Sequence, residues 1–335
     1  MLGLKAKLKH AESIKKKLLN KEIYNRDYKP FKTKTHIIFP ILEKVKTGKG
    51  EFVEEEFEKI EKQTYQDKLK NKIPDKLLSE LPSSYDIIGS IIILEIKEGL
   101  IDYEREIAEA ILKTHSQIKT ILKKADIHKG EFRLQKLQHL AGEKTKETTY
   151  KENNIKLKLD VEKVYFSPRS STERKRIFSQ IKKGENILVM FSGCAPYPLT
   201  IAKNTDAKKI TGIEKNPVAH KYAVENIKLN KINNVDLING DVNKIIPKIK
   251  EKFDRIVMPL PKNASTFLNL AFHVSKKGTK IHLYDFEHEK EIDLIKEKIK
   301  GESSKAKIKY KLLNIVKCGQ YSPGKFRICA DFKIV

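Results

Sequence analysis

Residues 186–191 read NILVMF, residues 209–214 read KITGIE, and residues 217–230 read PVAHKYAVENIKLN. The first two are apolar runs of strand length, and the third carries apolar residues at helical spacing. The alternation continues through VDLIN (235–239), RIVM (255–258), a helical pattern over Ala264–Val274, and KIHLY (280–284). Strands that alternate with helices predict an α/β domain with a doubly wound parallel sheet. Two further strand patterns, Tyr310–Lys317 and Phe326–Val335, flank the turn signal SPGK and predict an antiparallel edge.

Ligands of such sheets bind outside the carboxyl ends of the strands. Here the first strand runs into SGCAPYP (192–198), with one glycine where a dinucleotide fingerprint needs three. Glu214 ends the second strand about 20 residues after Gly193, where a carboxylate can accept both ribose hydroxyls. Asn216-Pro217 then starts a helix, with proline at its favoured first position. The third strand ends at Gly240-Asp241-Val242, and an acid there can take the amino group of adenine. Each carboxylate alone also reads as a helix cap or a surface charge. Together, in order and without a phosphate cradle, they point to S-adenosylmethionine rather than NAD or ATP. The fourth strand ends in Met258-Pro259-Leu260-Pro261-Lys262. It lacks both the aromatic residue of amino-methylating enzymes and the cysteine of pyrimidine-C5 enzymes.

Upstream the pattern is mixed. Ala11–Asn20 reads as a helix, Thr35–Phe39 as a strand, and the charge-rich Glu51–Lys72 as a solvated helix or linker. Ile87–Ile96 is a strand pattern broken at Gly89, where a bulge or turn fits. Tyr103–Leu122 carries helical spacing, and Ile155–Phe166 alternates as a half-exposed strand. The expected organisation is three parts: 1–65, a small N-terminal α+β domain; 75–165, a second α+β domain; and 166–335, the α/β domain.

The chain of 335 residues holds 69 Lys+Arg against 44 Asp+Glu, a formal net charge of +25. A surplus of that size predicts a polyanionic partner, nucleic acid first, although a lysine-rich proteome would give the same sum. No apolar run approaches the ~18 residues of a membrane span. Cys194, Cys318 and Cys329 are far apart, so no disulfide framework is expected and a reducing cytoplasm fits. The nine histidines form no ligand cluster, and no protein-bound metal is expected.

GEFRLQKLQHLAGE (130–143), VYFSPRSSTER (164–174), GIEKNPVAHKYAVENIKLN (212–230), NGDV and MPLPK occur in the order and spacing of a known family. From about Tyr85 to the C-terminus the chain resembles the archaeal and eukaryotic tRNA (guanine-37 N1)-methyltransferases. The resemblance implies a C-terminal class I, Rossmann-like SAM-dependent methyltransferase domain with two smaller N-terminal α+β domains. The first of these recognises the outer corner of tRNA in the family. It also implies tRNA as partner and 1-methylguanosine at position 37, 3′ to the anticodon, as product. One chain holds all the parts, so a monomer suffices.

Guanine N1 carries a proton at neutral pH, so its methylation needs a base and a group that stabilises charge on O6. The resemblance places these roles on Glu173 and Arg133. It places Arg174, Phe191, Gly193, Glu214, Lys215, Asp241, Val242 and Pro259 around the cofactor, and Tyr165, Arg169 and Pro261 near the target nucleotide. Glu173 also reads as a first-turn helix charge, and Arg133 as a phosphate contact. Three positions depart from the family pattern: Val189 stands for an aspartate, Ala195 for a glycine and Pro259 for an asparagine. They leave open methylation of the wyosine-pathway imidazopurine at the same position, alone or as a second activity. An inert tRNA-binding homologue and a ribosomal RNA enzyme also stay open.

Overall fold

The computed structural model describes residues 1–335 except 46, 47, 49, 61, 62, 128, 129, 261 and 262. By contact the chain divides into two units, Met1–Lys68 and Leu69–Val335. The boundary expected between 165 and 166 falls inside the second.

In the first unit, β1 (Leu2–Lys7), β2 (Phe31–Lys32), β3 (His36–Pro40) and β4 (Glu51–Glu54) form an antiparallel sheet in the order β2-β3-β1-β4. Helix α1 (Ala11–Asn20) turns Ile14 and Leu18 onto Leu4, Ala6, Phe39 and Ile41 and leaves its lysines in solvent. A solvated helix or a linker was expected from Glu51, yet Glu51–Glu54 is a strand paired with Leu2–Lys5. Its EFVE alternation suits an edge strand better than a helix, and charges on an exposed edge discourage further pairing.

The second unit begins with the short helix α2 (Asp75–Leu78). Strands β5 (Asp86–Ile88), β6 (Ile91–Leu94), β7 (Thr120–Lys124) and β8 (Leu137–Gly142) then pair in that order. The chain reverses between β5 and β6 at Gly89, whose φ is +59°. The helix expected over Tyr103–Leu122 is shorter: α3 covers Glu104–Thr114, and 120–124 is β7, parallel to β6. Ile118 and Leu122 fit helical spacing by coincidence; TILKK is β-branched enough to complete the sheet.

A hairpin follows, β9 (Glu147–Glu152) and β10 (Ile155–Asp160), turning through Asn153 and Asn154 at positive φ. Next come α4 (Ser171–Phe178), β11 (Asn186–Met190), α5 (Pro196–Asn204), β12 (Lys209–Glu214), α6 (Pro217–Asn230), β13 (Val235–Asn239), α7 (Val242–Ile245) and β14 (Phe253–Met258). The unit ends with α8 (Leu268–His273), β15 (Ser275–His288), α9 (Leu294–Lys305), β16 (Tyr310–Ser322) and β17 (Lys325–Ile334). Asn226 and Asn230 on α6 fix the hairpin: each amide accepts from and donates to the backbone of β10, at Lys158 and Lys156 respectively.

The large sheet runs β13-β12-β11-β14-β15-β17-β16. The first five strands are parallel, and β17 is antiparallel to both its neighbours, as the closing strand pair predicted. Ile187 and Val189 on β11 join one core with Tyr197 and Ile201, while Leu188 and Met190 join the other with Leu268 and Ile295. Helices therefore cover both faces, which is why NILVMF is continuously apolar. Strand order reverses between β11 and β14, and that places a crevice at their carboxyl ends.

Candidate active site

The crevice holds two cavities that share a wall. The smaller, about 270 Å³, lies over the carboxyl ends of β11, β12, β13 and β14. The larger, about 1120 Å³, opens toward β5–β8 and the β16–β17 ribbon. Arg133, Tyr165, Phe166, Leu260, Phe267 and Arg327 line both.

Glu214 sits at the end of β12, and its carboxylate accepts the backbone N–H of Gly193 and of Asn216, each at 2.7 Å. Burial pushes its pKa up, against the pull of hydrogen bonds from Asn216, Gly193 and Lys215. A carboxylate offers about four acceptor sites, so capacity remains for a ribose hydroxyl. Asp241 caps α7: Oδ1 accepts from Asn243 N, and Oδ2 accepts from Lys215 Nζ at 2.7 Å. Those contacts hold its pKa below the usual carboxylate range. Lys215, paired to Asp241 and Glu131, is pushed up to about 12. Gly193, Val242, Phe191 and Pro259 also line the smaller cavity.

The loop after β11 has three left-handed residues, Phe191 (φ +60°), Gly193 (+57°) and Ala195 (+69°), of which one is glycine. Phe191 packs edge-on against Phe267 at 5.1 Å between ring centroids. Val189, where the family pattern has an aspartate, is fully buried among Ile177, Tyr197 and Ile201. These residues fit an adenosyl group: a carboxylate with spare acceptors, an aromatic wall and no nest of glycine amides for a pyrophosphate.

Arg174 lines the smaller cavity while its guanidinium is held from behind. Nε and one terminal nitrogen each reach Glu152 at 2.5 Å, and the same terminal nitrogen donates to Ser167 O at 3.2 Å. Arg133 stands at φ +54° with its guanidinium 5.3 Å from the Tyr165 ring centroid and 5.8 Å from that of Phe286. Arg169 lines the larger cavity and donates to Asp86 at 2.9 Å. Pro261 lies outside the described residues.

Glu173 is placed differently. It is buried and lines neither cavity. Both its oxygens accept from Arg176, at 2.7 and 2.8 Å, and Oε1 also accepts the Tyr284 hydroxyl at 2.5 Å. Tyr284 lines the smaller cavity and its hydroxyl is bonded to Glu173, so it is the residue that links Glu173 to that cavity. Sequence reasoning missed Tyr284, Arg327 and Phe267. Tyr284 ends the KIHLY pattern, so a strand-end position was readable, although β15 itself runs on to His288 and pairs Tyr284 with Cys329. Arg327 comes from the antiparallel ribbon, where no local pattern marks it.

His282, Cys329 and Asp331 bring three potential metal donors within 4.8 Å of one another. Arg255 lies 2.7 Å from His282 Nε2 and Arg176 reaches Asp331, so the histidine and the aspartate are each already partnered by a guanidinium. No helix among the described residues is long and apolar enough to cross a membrane.

Residues 148–313 match the TRM5/TYW2 methyltransferase domain, 65–145 the TYW2 N-terminal domain and 3–48 the tRNA methyltransferase 5 N-terminal domain. The chain is 37% identical over 334 residues to the tRNA (guanine(37)-N(1))-methyltransferase Trm5b of Pyrococcus abyssi, covering 99% of each. It is 39% identical over 304 residues to the tRNA (guanine(37)-N(1))/4-demethylwyosine(37)-methyltransferase Taw22 of Nanoarchaeum equitans, covering 75% of this chain and 100% of that one. The solved complex of aTrm5 with tRNALeu superposes with a TM-score of 0.71 at 30% identity, covering all of both chains.

Proposed function

The chain belongs to the TRM5/TYW2 family of SAM-dependent methyltransferases, and from that membership we propose that it methylates N1 of guanosine 37 in tRNA. The observation that carries the reading is the shared wall: Arg133, Tyr165 and Leu260 face both cavities, so a cofactor and a flipped nucleobase can meet there. S-adenosylmethionine, when bound, supplies an electrophilic methyl group on sulfonium. Glu214, Asp241 and Phe191 hold its nucleoside end. Tyr165 offers a face on which a base stacks, and stacking of this kind contributes about 1–3 kcal/mol.

Arg133 stabilises the negative charge that grows on O6 as N1 loses its proton. Glu173 is the carboxylate that finally receives that proton. In-line alignment of N1 with the methyl group supplies much of the remaining rate, because the donor is already reactive. The surplus of 25 positive charges draws the polyanion to the surface. We place the reaction in the cytoplasm, carried out by a monomer.

The test is nucleoside mass spectrometry after incubation with S-adenosylmethionine and a tRNA transcript carrying guanosine 37. The expected product is 1-methylguanosine. A tRNA carrying 4-demethylwyosine at 37 is run beside it. Methylation of that tRNA alone moves the substrate to the imidazopurine, and methylation of neither overturns the reading.

A further inference from the structure

Glu173 reaches neither cavity, yet its Oε1 holds the hydroxyl of a tyrosine that does. Resting on the reading of guanine N1 as the nucleophile, we infer that Tyr284 is the catalytic residue that touches the base, relaying the N1 proton to Glu173. The N1–H bonding pair stays on nitrogen and becomes the bond to the incoming methyl carbon. The proton moves to the phenolic oxygen of Tyr284 as the tyrosine's own proton passes to Glu173 Oε1, and Tyr284 ends neutral as it began. The carbon–sulfur pair leaves with sulfur, so charge and atoms balance with one proton stored on the carboxylate.

The surroundings fit this direction of transfer. Tyr197 on α5 donates its hydroxyl to the Tyr284 oxygen at 3.0 Å. That bond fixes which way the Tyr284 hydrogen points and leaves an oxygen lone pair free. Burial raises both phenols above their ordinary value, which disfavours a free tyrosinate and favours concerted passage. Beyond Glu173 the charges form one connected set: Arg176 bridges Glu173 and Asp331, Asp331 holds His282 Nδ1 at 2.6 Å, and Arg255 joins His282 to Glu185. Burial keeps His282 neutral, so three carboxylates face two guanidiniums. The set carries one negative charge in surplus, room for one proton. The thiols of Cys318 and Cys329, from β16 and β17, are the other titratable groups near Glu173, and burial raises both out of play.

The test is single-turnover methyl transfer with saturating tRNA and cofactor, for Tyr284→Phe, Glu173→Gln and the double variant, across pH. Calorimetry with S-adenosylhomocysteine and thermal unfolding verify that each variant is folded and binds. Each single variant is expected to lose about 10²-fold or more in rate, and the double no more than the worse single. Both singles should regain rate as pH rises toward the point where guanine N1 ionises unaided, a rescue that a purely structural defect would not show. If Tyr284→Phe keeps the parental rate while Glu173→Gln loses it, the relay is overturned and direct base action stands. Losses that multiply in the double variant, or that pH does not rescue, also overturn it. If Glu173→Gln keeps full rate, the assignment of the base itself fails.

Discussion

Glu152 on β9 and Arg174 on α4 meet through two bonds of 2.5 Å, with side-chain exposures of 2% and 3%. The guanidinium also lies 5.3 Å from the Phe166 ring and 6.0 Å from that of Tyr197. The pair joins the β9–β10 hairpin to the helix that carries Glu173, so a wall of the cofactor cavity depends on it.

Removing one partner leaves a buried charge with no counter-ion, which costs about 3–5 kcal/mol. Glu152→Ala is expected to lose that much stability in chemical denaturation and to weaken S-adenosylhomocysteine binding by calorimetry. The combined Glu152→Leu/Arg174→Met variant should recover most of the stability, since two apolar groups of similar volume replace the pair. Equal destabilisation of the single and combined variants would show that the contact's shape matters more than its charge.

How much of this was legible in the sequence differs by region. Lys209–Glu214, Val235–Asn239 and Pro217–Asn230 read correctly to the residue, because apolar runs, helical spacing and an Asn-Pro start agreed there. The Glu214 and Asp241 positions followed from strand ends alone. Where local signals conflicted, tertiary pairing decided: Thr120–Lys124 extends as a strand because β6 waits beside it, and Glu51–Glu54 because β1 does. The placement of Glu173 behind Tyr284 was out of reach. It depends on an ion pair with Arg176 and on a β15 tyrosine 111 residues away, and no spacing in the chain encodes that shielding.

Glu214 gives cofactor binding a pH dependence. Burial raises its pKa above the ordinary 4.5, and the ionised form is the stronger acceptor for a ribose hydroxyl. Affinity for S-adenosylhomocysteine is therefore expected to be constant near neutrality and to fall with acid, with a midpoint above 4.5. Glu214→Gln should weaken binding at pH 7.5 by roughly 10–100-fold, the size of a lost charge-assisted hydrogen bond, and should flatten the acid limb. Titration calorimetry at a series of pH values reads both effects.

Gly142 and Gly184 both have positive φ, at +80° and +82°, but differ in what surrounds them. A Cβ at Gly142 would lie 2.0 Å from the Lys119 carbonyl oxygen; at Gly184 it would meet nothing within 4 Å. Gly184→Ala is expected to cost about 1–2 kcal/mol, the left-handed penalty alone. Gly142→Ala must also move backbone at Lys119, just before β7, or in β8, so its cost should exceed that of Gly184→Ala by well over a factor of two in denaturant unfolding. Equal costs would mean that the β7–β8 register gives way without strain.

The buried set around Asp331 predicts how stability responds to acid. Burial lowers the pKa of His282 from its ordinary 6.5, against the pull of Asp331, so the folded chain resists a proton that the unfolded chain accepts. Stability from this group is full above pH 6.5 and is lost as pH falls toward the depressed folded value. The slope is at most about 1.4 kcal/mol per pH unit for one proton. His220, also lowered by burial, adds in the same direction. Asp331, held well below its ordinary 3.8 by His282 and Arg176, starts its own loss lower, as pH falls through the acid range below 3.8. Denaturant unfolding between pH 8 and pH 4.5 should therefore show a decline that begins near 6.5. In His282→Gln, whose amide keeps a donor for Asp331 and an acceptor for Arg255 but cannot titrate, the decline should shrink to the share left by His220, offset at the acid end by Glu214, whose raised pKa acts in the opposite direction. An unchanged slope in that variant would place the proton uptake elsewhere and show that the His282–Asp331 contact is indifferent to protonation.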